Sequence, residues 1–83
     1  MSTQDSFTVA LEIDTSGLKC PLPILRAKKA LAQIEGGQTL KVITTDPHAK
    51  EDFQAFAEQT GHGLLGQDLQ GEQIIHYLKK RTV

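Results

Sequence analysis

Cys20 is the residue of this chain best suited to covalent chemistry, because it is the only cysteine and it precedes a segment with helical periodicity. It opens the tetrapeptide Cys-Pro-Leu-Pro at positions 20–23. A thiol at the start of a helix lies near unpaired backbone N–H groups and the positive end of the helix dipole, and both favour the reactive thiolate. Most free cysteines are small buried hydrophobes, but a position at the junction of two elements favours exposure.

Two prolines are expected to brace the site on its helix side. Pro21 and Pro23 lack a backbone N–H, and both are predicted in the first helical turn, where that donor has no partner within the helix. Each fixes its own φ, so the backbone on either side of Leu22 is stiff and presents Cys20 in one geometry. Because one proline is enough to start a helix, the second one favours a presented thiol over a buried one.

Positive charge accompanies the cysteine in the sequence. Lys19, Arg26 and the helix N-terminus are expected to stabilise a thiolate, the helix alone by about 0.3 to 1 kcal/mol. With Lys28 and Lys29 they make the first helix and its approach basic. A solvated helix face explains these charges, and the functional alternative is a basic rim around Cys20 that orients acidic partner proteins.

Asp46 and three histidines are the remaining candidates. Asp46 is predicted to be the N-cap of a second helix, with the following proline at the first helical position, although its loop could emerge beside the loop of Cys20. His48 and His62 are expected to be solvated rather than acid–base or recognition groups. Together with His76 they lack the spacing of metal ligands, so no metal site is predicted.

Hydrophobic periodicity divides the chain into six elements in the order β-α-β-α-β-β. The predicted elements are a strand at 7–14, a helix from 21 to the glycines 36–37, a strand at 39–45, a helix from 46 to 60 closed by Gly61, and strands at 64–69 and 73–79. The predicted buried stripes are Ile24, Ala27, Leu31 and Ile34 on the first helix and Ala49, Phe53, Phe56 and Ala57 on the second.

The element order predicts the fold class. A strand, a helix and a second strand in succession imply a parallel pair with a right-handed crossover, which places both helices on one face of the sheet. We therefore expect a two-layer α/β (α+β) sandwich with a four-stranded mixed sheet. No linker, repeat or low-complexity tract divides the chain, so residues 1–83 are predicted to form one domain, with 1–6 flexible and 7–80 as the ordered core.

Composition narrows the class of protein and its compartment. A formal net charge of −1 predicts no overall attraction to nucleic acid or membranes. A single cysteine cannot form an internal disulfide, so the thiol can persist in a reducing compartment, and the cytoplasm is expected. The N-terminus lacks the pattern of a signal peptide, and no segment has the roughly 18 consecutive apolar residues of a membrane span.

The motif residues resemble a known family. The stretch from Gly17 to Leu31 resembles the helix-opening signature of the TusA/SirA-like sulfur carriers, a family marked by Cys-Pro-x-Pro. The resemblance covers nearly all of residues 9–80. Its further landmarks are Thr45-Asp46-Pro47 before the second helix, Phe53 and Phe56 on it, and Thr60-Gly61-His62 after it.

The resemblance implies a stoichiometric sulfurtransferase. Cys20 would accept sulfane sulfur from a donor protein of the cysteine desulfurase or rhodanese type, hold it as a transient persulfide and pass it to an acceptor protein. No cofactor is implied. Lys19, Pro21, Leu22, Pro23, Arg26 and Asp46 would form the surroundings of the persulfide and its partners.

Two departures from the family leave the pathway open. Relatives that resemble tRNA-thiolation carriers commonly have an acidic residue between the prolines, where this chain has Leu22, and some relatives have a second cysteine near position 57. The tRNA-thiolation, sulfur-oxidation and cofactor pathways therefore all remain. Two alternatives come from other classes of protein. One is a regulatory or RNA-binding module, which has little support because this chain has no aromatic residues set among basic ones on a strand. The other is a redox sensor that forms an intermolecular disulfide.

Overall fold

The computed structural model describes residues 8–82, which form a four-stranded mixed sheet with two helices. The elements are β1 Val9–Asp14, α1 Leu22–Leu31, β2 Thr39–Thr44, α2 Ala49–Thr60, β3 Gly63–Gln70 and β4 Gln73–Lys79. The predicted element order and two-layer sandwich are confirmed. The segment 1–6, predicted to be flexible, and residue 7, assigned to the first strand, lie outside the described residues. The single-domain organisation stays a prediction.

The sheet order, which the sequence left open, brings the predicted site together. The strands lie in the order β1-β2-β4-β3, with β1 parallel to β2 and β4 antiparallel to β2 and β3. Because parallel strands end at the same edge of a sheet, the loops that follow β1 and β2 are neighbours. Cys20 lies in the first of these loops and Asp46 in the second.

The core lies between one sheet face and the apolar stripes of both helices. Phe53 of α2 and Leu40 and Leu78 of the sheet are fully buried. The predicted stripes are confirmed, except that Ile24 is only half-buried against the core. The buried core residues are Ala27, Ala30, Leu31, Ile34, Leu40, Val42, Ala49, Phe53, Phe56, Ala57 and Leu78.

Helix α1 is shorter than predicted. It ends at Leu31, and Ile34 is buried in the turn that follows rather than on the helix. The backbone N–H of Ile34 bonds to the carbonyl of Leu31, an i→i−3 bond that tightens the chain away from α-helical geometry. Position 36, in the turn after α1, requires glycine, because a Cβ there would lie 2.8 Å from the Cα of Thr82.

A histidine is part of the core. His76 has no exposed surface and stacks on Phe53, with ring centroids 4.3 Å apart. Thr44 Oγ1 donates to the carbonyl of Ile74 at 3.2 Å, so it accepts from His76 Nε2 at 2.8 Å. Gln67 Nε2 donates to His76 Nδ1 at 3.0 Å. Both ring nitrogens are thus satisfied in the neutral form, and burial lowers the pKa of His76 to about 4.

Candidate functional site

The loop that carries Cys20 is anchored to the neighbouring strand and loop. At its start, the backbone N–H and hydroxyl of Thr15 both donate to the carbonyl of Ile43, at 2.8 and 2.7 Å. In its middle, the backbone N–H of Gly17 donates to Thr45 Oγ1 at 2.8 Å. These bonds join residues 28 positions apart, so the sheet topology rather than local sequence holds the loop in place.

Asp46 supplies the third anchor, and this one holds Cys20 itself. Its Oδ2 accepts the backbone N–H of Cys20 at 2.9 Å, and its Oδ1 accepts the backbone N–H of His48 at 3.0 Å. Both bonds lower the pKa of Asp46, and the bond from His48 has the larger effect. Only 9% of Asp46 is exposed, and its Oδ1 also lies 3.3 Å from Nδ1 of the His48 ring.

The predicted helix cap is therefore corrected. Helix α2 begins at Ala49, and its N-cap residue is His48, which makes no side-chain cap bond. Asp46 lies further back, because the two residues after it form a turn before the helix starts. The expectation that His48 is solvated is confirmed, since 80% of its side chain is exposed.

The charge that acts on the Cys20 thiol is negative. Cys20 is exposed, and a side-chain hydrogen bond to Asp52, partial desolvation and the charges of Asp52 and Asp46 raise the pKa of its thiol. The net shift of the thiol pKa is therefore opposite to the stabilisation of a thiolate that was expected from Lys19, Arg26 and the helix N-terminus. A nearby carboxylate disfavours a second negative charge and so favours the protonated thiol.

The prolines explain in part why the helix start does not compensate. Pro21 is the N-cap residue and Pro23 the second residue of α1, and neither has an N–H to offer. Between them, the N–H of Leu22 bonds to the carbonyl of residue 19 at 2.8 Å. The double proline that was expected to brace the cysteine therefore also removes donors that a thiolate would have used.

Two leucines that follow Cys20 closely in sequence form an exposed apolar patch on α1. Leu22 is 45% exposed and Leu25 is 50% exposed, and residues three apart share one face of a helix. We call this pair the leucine patch. Pro23, in contrast, is buried.

The basic residues that follow Cys20 in sequence are spread along α1. Lys19 is exposed, whereas Arg26 and Lys29 line a groove along β1. Lys28 and Lys29 lie in the last turn of α1, and the first turn of α2 contains Asp52. Each helix therefore complements its dipole at one end only, α1 with base in its last turn and α2 with acid in its first turn. Lys28 and Lys29 therefore do not belong to the predicted basic rim around Cys20, whereas for Lys19 and Arg26 the rim stays a prediction.

Asp52 and His76 are the residues that sequence reasoning missed. Asp52 had a usable signal, since it lies three residues after Ala49 and four before Phe56, next to the buried stripe. His76 had none beyond its place in an apolar strand. The expectation that His62 is solvated is only partly met, because His62 is half-buried.

In residues 8–82 no group of three or more His, Cys, Asp or Glu side chains is arranged to hold a metal ion. Within the same residues, no helix is long and apolar enough to cross a membrane.

Comparison with known proteins agrees with the fold and with the family resemblance. The family model described as Sulfurtransferase TusA matches residues 11–80. The sulfur carrier protein TusA of Allochromatium vinosum is 52% identical over 71 residues, which cover 86% of this chain and 92% of that protein. The protein of the same name from Pseudomonas entomophila is 35% identical over 70 residues, covering 84% of this chain and 88% of that one.

A solved structure has the same architecture. The crystal structure of a SirA-like protein from Desulfitobacterium hafniense matches with a TM-score of 0.75 and 29% identity, covering 86% of this chain and 97% of that one. The family model, the sequence relatives and the fold thus indicate the same family. The chain belongs to the sulfurtransferase TusA family and has that family's general role as a sulfur carrier, which implies partner proteins that donate and accept sulfur.

Proposed function

We propose that this protein carries sulfur as a persulfide on Cys20. One observation carries the proposal: the only cysteine of the chain is exposed, while its backbone N–H is held at 2.9 Å by the nearly buried carboxylate of Asp46. A sulfur atom that must meet the cysteine of another protein benefits from this combination of access and fixed position.

The transfer balances without an added oxidant or cofactor. In loading, the Cys20 thiolate attacks the outer sulfur of a donor persulfide, the bond between the two donor sulfurs breaks, and the donor cysteine leaves as a thiolate. In unloading, an acceptor thiolate attacks the outer sulfur on Cys20, and Cys20 leaves as a thiolate. The sulfane sulfur keeps its oxidation state in both steps, and each leaving thiolate can take up the proton lost by the attacking thiol.

The raised pKa of the Cys20 thiol suits a carrier. A thiol of higher pKa has less thiolate at neutral pH but a more nucleophilic one, and it is a poorer leaving group. The free protein should therefore react slowly with bystander disulfides. Once loaded, it should also release its sulfur reluctantly until an acceptor is in place.

The surroundings of Cys20 bear on its partners. We infer that the donor is of the cysteine desulfurase or rhodanese type and that the leucine patch is a contact surface, since it is apolar and close to Cys20 in sequence. Relatives that resemble tRNA-thiolation carriers commonly have an acidic residue between the two prolines, where this chain has Leu22. The sequence therefore does not single out tRNA thiolation, and sulfur oxidation and cofactor synthesis are equally candidate pathways for the sulfur. Location in the cytoplasm stays a prediction. Direct RNA binding gains no support, because the charges that raise the pKa of the thiol are carboxylates, which would repel phosphate.

Mass spectrometry of the loaded protein tests the proposal. After incubation with a cysteine desulfurase and its substrate, the peptide that contains Cys20 should gain the mass of one sulfur atom, and dithiothreitol should remove it. Cys20→Ser, which preserves the size of the side chain, is the matched control and should gain nothing. An adduct that is equally abundant in Cys20→Ser would refute the proposal.

A further inference from the structure

A second concave surface lies at the opposite end of the helices from Cys20. It is an open cavity of about 450 Å³ between the C-terminal ends of α1 and α2 and the segment that follows β4. We call it the basic cavity. The lining residues used below are Lys28, Leu31, Phe56, His62, Lys80 and Arg81.

Two of its cations are held in place by the helix ends. Lys80 Nζ donates to the carbonyl of Ile34, just after α1, at 2.6 Å, and a guanidinium nitrogen of Arg81 donates to the carbonyl of Thr60, the last residue of α2, at 3.0 Å. Each contact uses one donor. An ammonium group has three N–H donors and a guanidinium group has five, so most of their hydrogen-bonding capacity remains for a ligand.

The positive charge of the basic cavity exceeds the partial negative charge of the two helix C-termini beside it. Two helix C-termini together carry about one negative charge, whereas Lys28, Lys80 and Arg81 carry three positive ones. Lys28 forms no ion pair with any residue in the range 8–82. No aspartate or glutamate is among the residues that line the cavity. The surplus positive potential also acts on His62, whose pKa is lowered by burial and by the charges of Arg81 and Lys80.

The histidine adds a neutral donor above an apolar floor. His62 Nδ1 accepts the backbone N–H of Arg81 at 3.1 Å, so in the neutral ring the proton lies on Nε2. Its ring centroid is 5.9 Å from that of Phe56. Phe56 and Leu31 are buried core residues whose edges line the cavity.

We propose that the basic cavity binds a small organic anion, a phosphate or carboxylate on an apolar body. The anionic group would contact Lys28, Arg81 and His62, and the apolar body would cover Leu31 and Phe56. Cavities that bind small molecules typically have volumes of about 300 to 1,000 Å³ and combine an apolar lining with a few polar groups. The site is separate from Cys20, so occupancy does not block sulfur transfer sterically.

Phenyl phosphate is a suitable probe, with phenylacetate and inorganic phosphate as comparisons, in NMR titrations of the ¹⁵N-labelled protein. We expect saturable shifts at the amides of Thr60, His62 and Arg81 with at least one of the two organic anions and weaker binding of inorganic phosphate. The pKa of the His62 ring should rise when the anion binds, because a neighbouring negative charge stabilises the imidazolium.

Lys28→Gln and Lys29→Gln form a matched pair, because both residues lie in the last turn of α1 and only Lys28 lines the cavity. Lys28→Gln should weaken binding about threefold, as expected for an exposed charge contact, and Lys29→Gln should leave it unchanged. The proposal is overturned if neither organic anion gives saturable shifts, if inorganic phosphate binds as tightly as both, or if the two variants weaken binding equally.

Discussion

At the scale of single residues, the electrostatics of the thiol differ from what its neighbours in sequence suggest. Lys19 and Arg26 flank Cys20 along the chain, yet the charges that act on its thiol come from Asp52 and Asp46, more than 25 positions away. They raise the pKa of the thiol rather than lower it. The free protein should thus hold less of Cys20 as thiolate than a cysteine without these carboxylates would.

Asp52→Asn tests this electrostatic account. Removing the carboxylate should lower the pKa of Cys20 and make alkylation by iodoacetamide several-fold faster at pH 7, because more thiolate is present. The measurement is the pH dependence of the alkylation rate. Glu58→Gln, in the second half of α2, removes the same charge away from Cys20 and should leave the rate unchanged. An unchanged or raised thiol pKa in Asp52→Asn would contradict the account.

At the scale of elements, the site depends on two loops that the parallel strands β1 and β2 place side by side. Both side-chain oxygens of Asp46 are used, one for Cys20 and one for His48. The carboxylate therefore joins the start of α1 to the turn before α2. As a helix cap, Asp46 would hold only the start of α2, whereas here it also fixes the position of Cys20.

Asp46→Asn tests that junction, because an asparagine has one acceptor oxygen where two are needed. Either the N–H of Cys20 or that of His48 should lose its partner, so the free energy of unfolding should fall and the amide of Cys20 or of His48 should exchange its hydrogen several-fold faster. Urea unfolding and hydrogen exchange measure these effects. Asp68→Asn, on the exposed surface of β3, should change neither, and two fully protected amides in Asp46→Asn would rule out the proposed role.

At the scale of the whole molecule, the buried histidine couples the fold to pH. His76 is stacked on α2 and bonded to β2 and β3, and it is neutral in the folded state. A proton on Nδ1 would face the donating amide of Gln67. Protonation of the buried ring therefore places two N–H donors against each other unless the Gln67 amide turns over.

The sign of the resulting pH dependence follows from the lowered pKa. The unfolded chain binds a proton at His76 near pH 6.5 and the folded chain only near pH 4, so stability is complete above about pH 6.5 and falls as the pH drops toward 4. The loss should be about 3 kcal/mol, and urea unfolding at a series of pH values measures it. His62 contributes in the same direction, since its pKa is also lowered. Asp46 adds a loss only below the ordinary aspartate pKa of 3.8.

His76→Gln provides the comparison for this prediction. A glutamine does not titrate, so most of the slope between pH 6.5 and 4 should disappear in this variant. A wild-type profile that is flat in this interval would show that His76 is not held neutral.

The helices, the strands and the presence of Cys20 at a helix start could be predicted, because they rest on local periodicity and on a motif of four residues. The bond from Cys20 to Asp46 could only be named as a possibility, because it depends on which loops the sheet brings together. The sign of the charge around the thiol was predicted wrongly for the same reason. Lys28 is near Cys20 in sequence but lies at the far end of α1, whereas Asp52 is distant in sequence and acts on the thiol.

Cyanolysis of the loaded protein tests the central claim most directly, because cyanide attacks the outer sulfur of a persulfide and releases the cysteine as a thiolate. The protein is loaded by a sulfane-sulfur donor, freed of the donor and treated with cyanide, and the thiocyanate formed is counted. We predict close to one thiocyanate per chain for the wild type and none for Cys20→Ser. Equal amounts of thiocyanate from both proteins would contradict the assignment of Cys20 as the residue that carries sulfur. The same holds if the wild type yields no thiocyanate although the donor itself does.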